Sequence, residues 1–408
     1  ALTIQNTPHA DAASTIVVTS KNDTSSNDGV CTLREAIIAA NTDTVSGAAT
    51  GECVAGSGSD TITFNLTGSA DFTNGGQNGY SIVVTSLLPD ITSPLTINGY
   101  SQPGALANTA VSPAPLNGRL LIQLDGNNGA YSGLSVVANA DGTLISGLII
   151  NRFQGNAIRI LGVENASVKG NYVGTDATGM ISLPNGTDAP SSATAISIGE
   201  TGLTVNDPTT IGTLVGGLNP ADRNLISGNY GGGFGIQGTN TTTYGNYVGL
   251  ARDGLTALGN AFGTNVTTGA YTVDYAIGVT IGGAQSGAMS VISSNATGAV
   301  QPDFSQDVHV EGNYIGVGYD GTTVRGNGFG SQGGGGVTPN GSSGVVIKNN
   351  RIVGSYSAGI SNTETNGTLI TGNEVYGNGA QITGQGGGIA LGDSSFVTIG
   401  GSADADRN

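Results

Sequence analysis

The decamer GNYVGTDATG at residues 170–179 returns as GNYVGLARDG at 245–254 and as GNYIGVGYDG at 312–321. A chain that repeats a sentence of this length stacks copies of one supersecondary unit, because each unit alone leaves an apolar face uncovered. Larger matches surround the decamers. VGGLNPADRNLISGN (215–229) precedes the second copy, and TIGGAQSGAMSVISSN (280–295) followed by VHVEGN (308–313) leads into the third. TIGGSADADRN (398–408) opens the same sentence again, and there the sequence stops.

A shorter period lies inside the long one. VKGN, ISGN, VEGN, IKNN and ITGN place Asn171, Asn229, Asn313, Asn350 and Asn373 at equivalent positions, and TYGN adds Asn246. Asn350 and Asn373 are 23 residues apart, the length of three short strands and three turns. The 67 residues between the second and third decamers read as three such coils. TLISGLIINRF (143–153), NAIRIL (156–161), SGVVIKNNRIV (343–353) and TLITGNEV (368–375) are short β-branched runs cut by Gly and Asn. Their alternation puts one face of each strand into a continuous core. The expected fold is all-β, a parallel β-helix of about fifteen coils forming a rod roughly 70 Å long. The repeated Asn suits a tight bend, since Asn tolerates the left-handed region, and stacked Asn side chains can bond from coil to coil. These positions read as scaffold.

Composition agrees. Glycine supplies 71 of 408 residues, and charged residues only 10%, against a usual share of about 25%. An apolar fraction of 37% with recurring Val and Ile argues against disorder. The net charge is −16, with twelve Lys and Arg and no basic cluster, which excludes a nucleic-acid footprint. No run approaches ~18 apolar residues, so no membrane-spanning helix is expected.

The N-terminal region differs. CTLREAIIAAN (31–41) carries a T-x-x-E capping box at Thr32 and Glu35, then Leu33, Ala36, Ile37 and Ala40 on one stripe. One amphipathic helix beside STIVVTS (14–20) would cover the exposed end of a β-helix. Cys31 and Cys53 bracket the following loop and are expected to form a disulfide, as in an exported chain. The division expected is an N-terminal extension (1–13), a cap (14–66) and the β-helix repeats (67–408).

CTLREAIIAAN, followed by a second Cys and SDTITFNL (59–66), resembles the N-terminal CSLREA domain of bacterial secreted and surface proteins. TINGYSQPGA (96–105), LIQLDG (121–126) and LISGLIINRFQGNAIRI (144–160) are similar to its continuation, and the resemblance runs from about residue 14 to the end. It implies a right-handed parallel β-helix on an extracellular or cell-surface protein, and no particular activity. The chain departs from the family in its extra residues 1–13 and in lacking a C-terminal sorting region, so it reads as part of a longer product.

Catalytic constellations are sparse. His9 lies in the extension, and His309 alternates with Val308 and Val310 on an outward face. Asp307, His309 and Glu311 would share one face of a strand, with Asp303 nearby and no Arg or Lys beside them. They form the densest ionisable cluster, the one candidate for acid–base work, against the plainer reading of a solvated strand face. Asp176, Asp253 and Asp320 each occupy a Gly-adjacent turn. As Ca²⁺ ligands they fall short, since Ca²⁺ wants six to eight oxygens, and no cofactor is expected. The expected function is a non-enzymatic stalk, adhesin or filament subunit, with itself or surface glycans as partner. In the filament version ALTIQNT (1–7), through Leu2 and Ile4, adds as a strand to the next subunit. The competing expectation is a polysaccharide-active or polysaccharide-binding β-helix whose groove is lined by Tyr and acidic residues.

Overall fold

The computed structural model describes residues 13–187, 193–200, 205–263, 266, 268–329, 334–379 and 387–408. Apart from one antiparallel hairpin, Phe72–Asn74 with Gln77–Val83, the strands do not form local meanders. Each pairs in parallel with the equivalent strand one coil away, which gives a right-handed parallel β-helix with three sheets. Among the described residues the first sheet has 12 strands, the second 11 and the third 6, with a further 2-stranded piece. Bridges from Val300 to Val337 to Ile360, and from Asp303 to Asn340 to Thr363, join that piece to the third sheet. Twelve rungs in the longest sheet replace the fifteen expected, so the rod is about 50 Å long.

Register explains the core. In the first sheet Ile16, Ile62, Ile97, Ile145, Val168 and Val215 stand directly over one another, and Ile281, Val310, Ile347 and Ile370 continue the column. Thr243 fills the one rung between Val215 and Ile281. A one-residue slip in any strand would turn its apolar set to solvent, so each rung fixes the next.

Two asparagine ladders run along the corners. In the first, Asn171 Nδ2 donates to Asn224 Oδ1 (3.3 Å) and Asn224 Nδ2 to Asn246 Oδ1 (2.9 Å). Asn246 N–H then donates to Ser290 Oγ (3.3 Å) and Ser290 N–H to Asn313 Oδ1 (3.1 Å), after which Asn350, Asn373 and Asn408 follow. The second links Asn185, Asn229, Asn260, Asn295 and Asn327 with bonds of 2.8–3.0 Å. Asn229 therefore belongs to a different corner from the other five Asn with which its motif grouped it. The first ladder also corrects the coil count. Its steps from Asn171 are 53, 22, 44, 23, 37, 23 and 35 residues, so short and long coils alternate and each decamer interval holds two coils. Excursions at the corners account for the extra length.

Where the repeated motif forms the first corner, the left-handed residue is the one before the ladder Asn; Arg223 and Arg407, before Asn224 and Asn408, are extended. Gly170, Gly245 and Gly312 have φ of 65–70°, and Asn349 has φ 55°. That leaves the ladder Asn free to aim its amide along the stack.

At the N-terminal end the helix spans Leu33–Thr42, with both bonds of the Thr32–Glu35 capping box formed. Leu33, Ala36, Ile37 and Ala40 join the main core cluster, over the first strand, Thr15–Val18. A disulfide joins Cys31 and Cys53. Thr15–Val18 and Asp60–Phe64 are themselves the first rungs of the long sheet. Outside the second sheet a smaller apolar cluster of Leu116, Leu120, Tyr172, Leu225, Tyr247 and Val291 forms beneath a strap closed by the Leu106–Arg119 bridge. Buried Arg223 pins the strap by donating to the carbonyls of Ala110 and Ala114, both at 2.8 Å, while its guanidinium lies over the Tyr247 ring.

Candidate functional site

The decamers resolve into corner, strand and hairpin. In the second copy Gly245 turns the corner, Asn246 enters the ladder, and Tyr247–Val248 forms the strand. Gly249 then leaves the coil at φ 95°, where an added Cβ would lie 2.1 Å from the Ser293 carbonyl oxygen. A short antiparallel excursion follows in each copy, closed by Thr175–Ser182, Leu250–Ala257 and Val317–Val324. The acidic tip braces that excursion. Asp320 accepts from the N–H groups of Thr322 and Thr323 and from Thr323 Oγ1, and the last of these bonds leads in holding its carboxyl far below the usual range. Asp253 does the same with Leu255 and Thr256. Burial alone would raise its pKa, but the Thr256 and Leu255 bonds outweigh it and the net shift is downward. Asp176 accepts from Thr178 Oγ1 and from the N–H groups of Met180 and Ile181. Among the described residues no group of three or more His, Cys, Asp or Glu could hold a metal ion.

The ionisable cluster of Asp307, His309 and Glu311 sits where the third sheet turns into the first. His309 and Glu311 share the outward face of the strand His309–Glu311. Asp307 precedes that strand at φ 55°, on the corner instead of in the strand. It still reaches His309, with 3.0 Å between Asp307 Oδ1 and His309 Nε2; the Asp307 side chain is largely exposed and that of His309 half-buried. A cation does accompany the cluster. Lys348, one coil further on, brings Nζ to 4.0 Å from Glu311 Oε1, a neighbour that only coil stacking provides.

Coil stacking also brings together a pair that sequence reading missed. In Tyr271–Asp274 and Val300–Asp303 every second residue is buried, and Asp274 and Asp303 are register partners on the outward side. Partial burial raises the Asp274 carboxyl. Asp303 is pushed up to about 6 by burial first, then by the charge of Asp274, with a hydrogen bond from Asn340 opposing. The next residues, Tyr275 and Phe304, are both left-handed, and their rings stack at 5.2 Å with 16° between planes. Phe304 is 49% exposed. The signal was readable in YTVDY (271–275) and VQPDF (300–304), each ending in Asp and an aromatic residue. Recognising it required knowing that the two segments occupy adjacent coils. Leu2 and Ile4, and His9 with them, lie outside the described residues. None of the helices is long and apolar enough to cross a membrane among the described residues.

No protein-family model matches the chain, and no curated protein does. The likeness to the CSLREA proteins therefore rests on the quoted residues alone. Several solved β-helical structures are similar in outline. The mannuronan C-5 epimerase A-module of Azotobacter vinelandii is 11% identical at a TM-score of 0.40, with 85% of this chain and 83% of that one covered. A surface adhesin of Streptococcus pneumoniae is 13% identical at 0.33, covering 85% and 86%. A pectate lyase is 13% identical at 0.35, covering 96% and 78%. At these values the similarities carry nothing about chemistry, and they include an adhesin as well as enzymes.

Proposed function

We propose that this protein is a rigid extracellular rod of the CSLREA type, serving as a surface stalk, adhesin or head-to-tail filament subunit. The observation that carries the reading is the pair of asparagine ladders, which tie successive coils at two of the three corners. Such ladders resist bending and splaying, the property a load-bearing spacer needs, because each buried amide would be left unpaired if neighbouring coils parted. The Cys31–Cys53 disulfide supports an oxidising compartment. Electron microscopy of native material tests the reading: rods or filaments on or outside the cell are expected. Deletion of residues 1–13 should leave rods intact and abolish end-to-end assembly if Leu2 and Ile4 supply a donor strand. Recovery of the native protein from the cell interior with Cys31 and Cys53 reduced would overturn the extracellular reading.

A second reading, a carbohydrate-active β-helix, is favoured by one observation, the elevated carboxyl of Asp303 beside Asp274. Acid–base hydrolysis of a glycoside needs a carboxyl that stays protonated near neutrality next to one that does not. Turnover of a glycan panel, lost in Asp303→Asn, Asp307→Ala or Glu311→Ala, would support it. Absence of turnover across neutral and acidic glycans would rule it out.

A further inference from the structure

From Tyr271 onward the third sheet presents a polar solvent face. Its outward positions there form two parallel rows, one rung per coil, and Arg159 stands in the first row three rungs earlier. Thr272, Gln301, Thr338 and Ser361 make one row, and Asp274, Asp303, Asn340 and Thr363 the other. All eight side chains are half-buried and polar, and every inward neighbour between them is buried. From Thr272 to Thr363 these rows carry two carboxylates and no cation.

An apolar ridge borders the second row. Tyr275 and Phe304 stack along the rod axis at the corner, and Phe304 is about half exposed. Gly341 continues their column one coil on, and a Cβ there would lie 2.7 Å from the Phe304 ring, so the ridge ends against bare backbone. On the opposite side, loops leading into the sheet expose Phe262 (46%) and Phe329 (59%). Phe262 packs edge-on against Tyr230, with centroids 5.6 Å apart. In a chain with only 5% aromatic residues, exposed rings on both approaches to one polar sheet are out of proportion.

We propose that this face binds a neutral polysaccharide, laid along the stack of coils with its sugar hydroxyls on the Asp274–Thr363 row and an apolar sugar face against Tyr275 and Phe304. Sugars need this mixture, an apolar surface for their C–H faces and fixed acceptors for their hydroxyls. Carboxylate acceptors give the stronger, charge-assisted bonds. Charge selects the occupant. Two carboxylates with no cation, on a protein of net charge −16, repel uronate and sulfated chains, whereas neutral sugars meet no such penalty. The inference adds a ligand to the rod proposed above and rests on the adhesin form of that reading.

The test is binding of the full chain to soluble neutral β-glucan, glucomannan and xylan, with polygalacturonate as the acidic control, by affinity electrophoresis and calorimetry. At least one neutral polymer should bind and polygalacturonate should not. Phe304→Ala, Tyr275→Ala and Asp303→Asn should each weaken binding about tenfold or more. Tyr376→Ala, at an exposed aromatic on the second sheet, should leave it unchanged. Thermal unfolding and microscopy of the same variants confirm that the rods are intact. Binding to none of the neutral polymers, preference for polygalacturonate, or unchanged binding in Phe304→Ala and Tyr275→Ala overturns the proposal. In each of these cases the rod itself still stands or falls on its morphology.

Discussion

At the scale of single residues, Asp303 makes stability depend on pH in an unusual direction for a carboxylate. Its pKa rises from 3.8 to about 6 in the folded chain, through burial and the facing charge of Asp274 on the adjacent coil. The folded state therefore holds more protons than the unfolded state between about pH 4 and 6, and stability falls as pH rises through that window. Asp303→Asn should raise the thermal midpoint at pH 7, by the equivalent of about 1–2 kcal/mol once solvent screening is allowed for. Below pH 4 the variant and the parent should melt together. A variant no more stable at pH 7 would mean that the carboxyl titrates normally. Asn260 works in the opposite sense. Its Oδ1 accepts from Asn229 Nδ2 at 2.8 Å, and its Nδ2 donates to the Ile226 carbonyl and to Asn295 Oδ1. Asn260→Ala removes these bonds and leaves the Asn229 N–H, which also donates to Asn260 Oδ1, without its partner in a dry corner; it should cost about 2–3 kcal/mol, read as a lowered unfolding midpoint. An exposed Asn such as Asn366 should cost almost nothing.

At the scale of elements, the coil explains which sequence signals were reliable. The capping box of the N-terminal helix is local, three residues of chain, and Thr32 and Glu35 bond as their spacing dictates. The decamer is local too, since its glycines supply left-handed corners wherever they occur. The step between coils is not local. ISGN and VKGN look alike as strings, yet one lies after the second sheet and the other before it, so Asn229 and Asn171 occupy different ladders. Nothing in four residues records which sheet precedes them. The acidic turn tips are a further case. Once Asp253 and Asp320 accept bonds from their own Thr side chains and amides, little acceptor capacity is left for a cation.

At the scale of the whole molecule, the rod is stabilised from its capped end. The Cys31–Cys53 disulfide closes a loop of 22 residues beside the helix that covers the first rung. Restricting the unfolded chain in this way is worth about 3 kcal/mol. Because each coil pairs its strands only with adjacent coils, and the strap closed at Leu106–Arg119 ties together later coils and not the first two, that loss should appear first at the N-terminal end. The double substitution Cys31→Ser with Cys53→Ser should make amides of Thr15–Val18 and Asp60–Phe64 exchange with solvent well before those of Val346–Lys348. Uniform loss of protection along the rod would mean that the coils unfold as one unit.

Sequence alone determined the parallel β-helix, the position of the N-terminal helix and the recurrence of asparagines that bond from coil to coil. Each of these follows from local periodicity and turn chemistry, written in consecutive residues. The tertiary structure decided everything that depends on stacking order. It set two coils per decamer interval instead of three, separated the ladders, and brought Lys348 beside Glu311. It also placed Asp274 against Asp303, with Tyr275 on Phe304. The physical reason is that neighbours in a solenoid are one coil apart, and the coils here vary from 22 to 53 residues. A site built across coils has no fixed spacing in the sequence, so its members become visible as a site only when the register is known.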